Sequence, residues 1–383
     1  MIVEVLIKSL FILLVVVAAL APVITWIERK QSAVMQDRIG ANRADIAGIT
    51  VLGLLHPLAD VIKLLSKEDV VPFGANRVMH LIAPLVAAAP AVIAYAVIPY
   101  GGVYHFGDYT LSLVAANPDW GLLYIFAIGS IATYGTVMAG WSSNNNWSLL
   151  GGLRASAQMI SYEVTMGLSV VGIFMVFQTL KLQDMALAQD TTFRVFGFLQ
   201  HLFGVGVPQW LDWVRLPAWG LFYQPLGFIM FLTTIMAENK RPPFDLPEGE
   251  SELIAGYFIE YSGMRFGLFF MSEFIEVVVI AGLIATLFLG GWSIPYLSTQ
   301  TIVGAIKPVF NEGFANGLCM ILHFLTFMLK VVVMIWVQML LRWTLPRFRY
   351  DQVMDLCWKI ILPLSIANIF VTGFVILLVK GTS

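Results

Sequence analysis

Seven carboxylates, Glu238, Asp245, Glu248, Glu250, Glu252, Glu260 and Glu273, fall within one stretch of a chain that is otherwise 59% hydrophobic and only 12% charged. A charged side chain at membrane depth costs roughly 2.5 to 3.5 kcal/mol on the mildest insertion scale, so acids held there read as a proton or ligand pathway. Glu252, Gly256 and Glu260 are spaced by four, which on a helix stacks two carboxylates and a small residue on one face; Glu273 and Glu276 are spaced by three. Clustered acids in low dielectric cannot all stay ionised, and repulsion with desolvation raises some of their pKa values, as a proton-handling chain requires. Two more groups join them. Glu163 falls about nine residues into an apolar run, with Ser156 and Gly167 on its face, and is expected to look into a helix bundle. Lys330 lies near the middle of another run and is expected to pair with a buried glutamate, the alternative being a snorkelling lysine; His323, seven residues earlier, sits where it can bind a backbone carbonyl.

What must position these groups is a set of membrane helices. Apolar runs of about 20 residues predict about eight spans: Val3 to Ile27, Val78 to Ile98, Gly121 to Gly140, Arg154 to Leu180, Ala218 to Ala237, Gly267 to Gly290, Gly317 to Leu341 and Cys357 to Val379. Backbone amides in lipid have only their own chain to satisfy them, so each run is helical. The fold class is therefore an all-α polytopic membrane protein, one integral-membrane domain over residues 1–383, with a cytoplasmic loop at 28–77 and the acidic loop at 238–266. The first run is too long for a signal-peptide core and is expected to be retained. Lys and Arg concentrate in the connections that include the acidic loop, and the positive-inside rule puts that loop in the cytoplasm with both termini outside. Only two cysteines occur, Cys319 and Cys357, far apart in sequence, which excludes an iron-sulfur or zinc framework in this chain. Nothing suggests a nucleic-acid surface.

The loop at 28–77 opens with Glu28, Arg29 and Lys30, which on their own read as an interfacial anchor. Next, His56, Asp60, Lys63 and Lys67 recur at intervals of four, three and four, while Leu58, Val61, Ile62 and Leu65 fill the other face, and Pro57 suits a first turn. This amphipathic helix lies at the interface or turns its charged stripe to a protein-lined chamber. The connection after Pro99 reads as quiet, 182–217 as an interfacial helix and loop, and the basic turn from Arg342 to Arg349 as a device of the positive-inside rule.

Taken together, E-R-K from Glu28, R-I-G-A-N from Arg38, A-D-V-I-K-L-L-S-K-E from Ala59, R-A-S-A-Q-M-I-S-Y-E from Arg154 and R-P-P-F-D-L-P-E-G-E-S-E-L from Arg241 resemble the family of NADH-quinone oxidoreductase H subunits, the bacterial counterpart of NADH dehydrogenase subunit 1. L-P-R-F-R-Y-D-Q-V-M from Leu345 extends the resemblance over nearly the whole chain; Ala41, where the family carries proline, departs from it. The resemblance implies a membrane subunit of proton-pumping complex I that takes quinone as substrate and sits against other subunits carrying NADH, FMN and iron-sulfur clusters. It further implies a quinone chamber formed with Glu28, Arg29, Arg38, Asp60, Lys63, Arg241, Phe244, Asp245, Glu248, Glu250 and Glu252, and a proton-linked axis through Glu163, Glu238, Glu260 and Glu273, to which Lys330 adds a buried cation. The expected location is the bacterial inner membrane. The membrane subunit of an energy-converting hydrogenase and a stand-alone ion or solute carrier are the alternatives; carriers often show paired broken helices in inverted repeats, which this sequence does not show.

Overall fold

The computed structural model describes residues 2–46, 48–107, 109–194, 215–247, 249, 254–306 and 312–381. It is mostly helical, and six helices among the described residues are long and apolar enough to cross a membrane: Arg77–Val97, Gly121–Ser142, Asn146–Phe177, Gly263–Phe288, Gly313–Thr344 and Tyr350–Leu378. In chain order the elements are α1 (Ile2–Ile12), a π-helical stretch (Leu13–Leu20), α2 (Ala21–Met35), α3 (His56–Ser66), α4 (Arg77–Ala94), β1 (Val103–Phe106), β2 (Tyr109–Ser112), α5 (Gly121–Ser142), α6 (Asn146–Phe177) and α7 (Leu182–Ala188). They continue with β3 (Thr192–Arg194), β4 (Arg215–Pro217), α8 (Gly220–Tyr223), α9 (Pro225–Glu238), α10 (Gly263–Phe288), α11 (Thr299–Ile306), α12 (Glu312–Thr344), α13 (Tyr350–Asp355), a second π-helical stretch (Leu356–Ile361) and α14 (Leu362–Gly381).

Two predicted spans differ from a plain α-helix. The run Val3 to Ile27 is helical throughout but π-helical over Leu13–Leu20, so no single α-helix covers it. The run Ala218 to Ala237 breaks at Gln224, whose backbone is non-helical. Pro225 starts α9 there, leaving 14 residues and roughly 21 Å of helix. Side-chain bonds offset the break: the Gln224 amide donates to Thr372 Oγ1 at 2.7 Å and accepts from Asn368 Nδ2 at 2.9 Å, both on α14. The connections also hold two small antiparallel strand pairs, β1 with β2 and β3 with β4.

Helix α10 is the centre of the bundle. Of its most apolar 18-residue window 78% is buried, against 22–44% for the other five long helices. From Val277 to Phe288 every residue is buried, because α10 is apolar all round rather than on one stripe, as a helix enclosed by others must be. Close approach elsewhere depends on small residues. A Cβ on Gly135 of α5 would lie 2.5 Å from the Ala87 nitrogen of α4, and one on Gly151 of α6 would lie 2.7 Å from the backbone of Gly256 and Tyr257. The first contact joins two membrane helices; the second seats the acidic loop on α6. Gly135→Val therefore overpacks the α4–α5 contact by about 1–3 kcal/mol, and we expect a lower thermal midpoint of the assembled protein in detergent, whereas Gly129→Ala, where nothing lies within 4 Å, leaves it unchanged.

Candidate functional site

Three groups of polar residues stand apart in the bundle. The first is an ion-paired cluster where the acidic loop meets the ends of α2 and α12. Glu28, 8% exposed, accepts from two arginines: Arg241 Nη1 at 3.0 Å and Arg342 Nη1. Its neighbour Arg29 donates to Asp60 Oδ2 at 2.5 Å, and Lys63 Nζ stands 3.8 Å from the other Asp60 oxygen. The α3 stripe thus turns Asp60 inward while Lys63 stays exposed, and Leu58, Ile62 and Leu65 are also exposed on the opposite face. Arg347 donates to Asp245 at 2.6 Å. The Arg241 guanidinium lies 4.3 Å from the Phe274 ring centre, a cation–π contact.

The turn that carries Arg241 and Asp245 is held by one side chain. Gln158 Nε2, on α6, donates to the carbonyls of Ala237 and Phe244, each at 2.7 Å, bridging the two ends of the turn. Phe244 is buried between Tyr162 and Phe348, with ring centres 5.6 and 5.5 Å away. Asn239 Nδ2 donates to Gln338 Oε1 at 3.1 Å.

A narrow apolar cleft of about 70 Å³ runs between α2, α3 and α10. Pro22, Val61, Leu64, Phe270 and Phe274 line it, and Asp60 is its one charged residue. Phe274 and Asp60 both belong to the contacts just described, so the cleft runs up to the ion-paired cluster.

The second group is a narrow cavity of about 60 Å³ between the long helices. Glu163 of α6, Glu238 of α9 and Glu276 of α10 line it. The Ser130 hydroxyl of α5 donates to Glu163, and Glu238 Oε2 has no hydrogen-bond partner among the described residues. The remaining walls are apolar, with Ala91, Ile125 and Ile280 among them. Glu273 stands between the two groups, buried and accepting from the Tyr257 hydroxyl at 3.2 Å.

The third group corrects the expectation for Lys330. Among the described residues its ammonium pairs with no glutamate; it donates to the carbonyls of Leu289, Gly291 and Ser293 at 2.6, 2.9 and 2.7 Å and lies 4.9 Å from the Trp219 ring centre. Lys330 is mid-helix in sequence, but the side chain reaches the far end of α10, where free carbonyls carry the negative end of the helix dipole. Leu289 is 13 residues beyond Glu276, about 20 Å along the axis. His323 likewise meets a side chain, Tyr104 Oη of β1, at 2.8 Å, so the hairpin read as quiet is tied to α12.

Other expected members also fall elsewhere. Arg38 is exposed and, among the described residues, its side chain bonds locally, to Gln36 at 2.7 Å. Glu260 does not continue a helix from Gly256, because residues Gly256–Phe258 form a single 3-10 turn; it accepts from Asn145 Nδ2 at 2.7 Å. Beside it Tyr261 stacks on His80 at 3.9 Å, and Arg265 joins His80 at 3.1 Å and Asp69 at 2.9 Å, a brace that ties α4 and α10 to the connections carrying Asp69 and Tyr261. Glu248, Glu250 and Glu252 lie outside the described residues. Sequence reasoning missed Arg342 and Arg347, whose partners Glu28 and Asp245 stand 314 and 102 positions away, as well as Ser130. Glu276 shares a helix face with Glu273 by its spacing, but the two address different surroundings, the cavity and Tyr257.

The fold and the site together define a polytopic helical membrane protein with buried carboxylates beside an ion-paired loop. The family model described as NADH dehydrogenase matches residues 7–373, and the chain belongs to that family. It is 41% identical over 380 residues to the NADH-quinone oxidoreductase H subunit of Bdellovibrio bacteriovorus, covering 96% of this chain and 95% of that protein. To the protein of the same name in Thermomicrobium roseum it is 42% identical, covering 95% and 94%, and to that of Flavobacterium psychrophilum 40%, covering 93% and 92%.

Burial pushes the Asp245 carboxyl up to about 6, against the pull of the Arg347 guanidinium. Because the folded value exceeds the ordinary 3.8, the folded turn binds the proton more tightly than the unfolded chain. This contribution, at most about 3 kcal/mol, is fully present below pH 3.8 and is lost as pH rises through about 6. Amide exchange over 241–247, corrected for its intrinsic pH dependence, is expected to accelerate across that window, and Asp245→Asn to flatten the slope. An equal slope in the variant overturns the assignment.

Proposed function

We propose that the chain is the membrane subunit of a proton-pumping NADH:quinone oxidoreductase, that it builds much of the quinone chamber, and that it links quinone reduction to proton movement. The observation that carries this reading is the apolar cleft that runs up to the ion-paired cluster. Its walls suit an isoprenoid tail, and Arg29, Asp60, Lys63, Arg241 and Asp245 stand where a polar headgroup would arrive. Quinone takes two electrons and two protons to become quinol. On this reading the electrons come from neighbouring subunits, which would hold NADH, FMN and the iron-sulfur clusters. Cations near the headgroup stabilise charge developing on it before protonation. Glu163, Glu238 and Glu276, with Glu273 between them and the loop, form the proton-linked part. Glu28, Phe244 and Arg342 position the chamber residues. The expected setting is the bacterial inner membrane, with the acidic loop on the cytoplasmic side and both termini outside. A purified complex containing this chain should oxidise NADH with quinone and evolve no hydrogen.

Arg29 bonds Asp60 through one Nη2–Oδ2 contact, and lysine would keep the charge there but lose the planar guanidinium. In the assembled complex Arg29→Lys should keep part of the quinone turnover and Arg29→Ala should lose most of it, roughly tenfold or more. Parental turnover in both leaves Arg29 an interfacial anchor.

Glu163→Gln preserves shape and can still hydrogen-bond to Ser130, so assembly should survive while proton exchange does not. In liposomes we expect reduced NADH oxidation that an uncoupler does not restore, together with loss of pumping. Parental activity and pumping would make Glu163 a structural acid.

A further inference from the structure

At the end of α10 that faces away from the acidic loop, a polar cavity of about 410 Å³ adjoins the carbonyls that hold Lys330, a volume in the range of small-molecule sites. Most polar groups around it are fully engaged. Gln189 Oε1 accepts from the backbone N–H of Gly220 and Gly290 at 2.9 and 3.0 Å, and its Nε2 donates to the carbonyls of Met185 and Thr286 at 3.1 and 2.9 Å. The Lys330 ammonium gives its three N–H bonds to carbonyls, one of them that of Ser293. Two atoms are exceptions. Trp219 Nε1 and Ser293 Oγ, both shielded from solvent, have no hydrogen-bond partner among the described residues, and Ser293 is only 3% exposed. Both residues line the cavity. Buried polar atoms are rarely left unpaired, and each that is calls for an explanation. Their positions converge: a Cβ on Gly290 would lie 2.6 Å from each of them, so they stand at most about 5 Å apart. One acceptor atom can therefore reach both. Residue 290 is a glycine with φ +74°, and no side chain enters the spot between them.

The types of these groups limit what can bind. An indole N–H only donates, so the bound atom is an acceptor. The Lys330 ammonium lies 4.9 Å from the Trp219 ring centre, and the exposed Arg215 also lines the cavity; both favour an anionic acceptor. Asp190, on the same wall, adds a second requirement. Its Oδ2 accepts from Thr299 Oγ1 at 3.3 Å, and a carboxylate there repels a bare anion but suits a ligand that carries a cation beside its anion. Tyr296 and Leu297 are exposed where they line the cavity, as amphipathic and apolar side chains are at the level of lipid headgroups. We propose that this cavity binds a phosphoethanolamine group. A phosphate oxygen accepts from Trp219 Nε1 and Ser293 Oγ, the phosphate faces Arg215, and the amine faces Asp190. The same chemistry occurs in a phospholipid headgroup and in free glycerophosphoethanolamine. The site stands at the opposite end of α10 from Phe274 and the apolar cleft, and is separate from the quinone chamber.

The test uses the intact complex, freed of loosely held lipid and kept in amphipol, with radiolabelled dihexanoyl phosphatidylethanolamine as the probe. Binding should saturate. Trp219→Phe, which keeps a ring beside Lys330 but loses the N–H, and Ser293→Ala should each weaken it roughly tenfold. Dihexanoyl phosphatidylglycerol, which lacks the amine, should compete poorly in the parent and as well as phosphatidylethanolamine in Asp190→Asn. Glycerophosphoethanolamine separates the sources: competition at the same concentration as the lipid upholds the site for a soluble ester, and competition only at much higher concentration upholds it for a lipid. Parental binding in either Trp219→Phe or Ser293→Ala overturns the proposal and leaves those atoms to water. Equal competition by inorganic phosphate or by phosphatidylglycerol in the parent overturns it too. Ser293→Ala removes only a hydroxyl without a protein partner, so the thermal midpoint of the ligand-free complex should not fall. Loss of assembly or a lower midpoint in that variant shows an internal structural role and also overturns the proposal; should Trp219→Phe fail to assemble, Ser293→Ala decides alone.

Discussion

Two guanidinium groups closing on one buried carboxylate, Arg241 and Arg342 on Glu28, tie together three parts of the chain that are far apart in sequence. Removing one member of a buried ion group costs about 3–5 kcal/mol, because the charges left behind have neither water nor a partner. Much of the loop-side architecture follows from this contact. It fixes the end of α2, and with it Arg29, so that Asp60 and the whole of α3 are drawn in from the surface. It fixes Arg241 above Phe274, and so the inner end of the apolar cleft. It also holds α12 at the level where Gln338 meets Asn239.

The acidic loop has little regular structure, and tertiary contacts take its place. Gln158 closes the turn at its base, Tyr162 and Phe348 enclose Phe244, and Phe348 donates its backbone N–H to the Pro243 carbonyl at 3.0 Å. Prolines at 242 and 243 remove two backbone donors, which is why side chains from α6 complete the hydrogen bonding. Gly151 lets the loop backbone at Gly256 settle directly on that helix. The described parts of the loop are thereby anchored to α6 and to the chain around Phe348.

Much of this is legible in the sequence, for identifiable reasons. Apolar length alone marks the six long helices, and the four-three-four spacing of His56, Asp60, Lys63 and Lys67 marks α3, because both signals are local and periodic. Glu163 reads correctly as an interior acid because a lone carboxylate inside an apolar run has few alternatives. The partners of Arg342 and Arg347 are not legible, since a basic turn looks the same whether it serves orientation or binds acids hundreds of residues away. The expectation for Lys330 fails because position along a helix is not depth: a flexible stem carries the charge to the end of a neighbouring helix. The expectation for Glu260 fails because a spacing of four implies a shared face only where a helix exists, and Gly256 with φ +64° interrupts one.

Between Leu283, the last α10 residue to line the carboxylate cavity, and Leu289, where Lys330 binds, stand Ile284 to Phe288, all fully buried. Their one polar side chain, Thr286, donates its hydroxyl to the Gly282 carbonyl of its own helix. Along α10 that is an apolar stretch about 9 Å long. A membrane voltage does work of about 2.3 kcal/mol per charge per 100 mV only on displacement along its own direction. A proton held at Glu163, Glu238 or Glu276 cannot continue along α10 across this stretch, but Glu163 is only partly buried and faces sideways toward Ser130. Charge leaving the cavity laterally moves on a surface of nearly constant electrical potential, so that, on the proposed reading, the voltage-opposed part of the work is done in whatever protein adjoins this one.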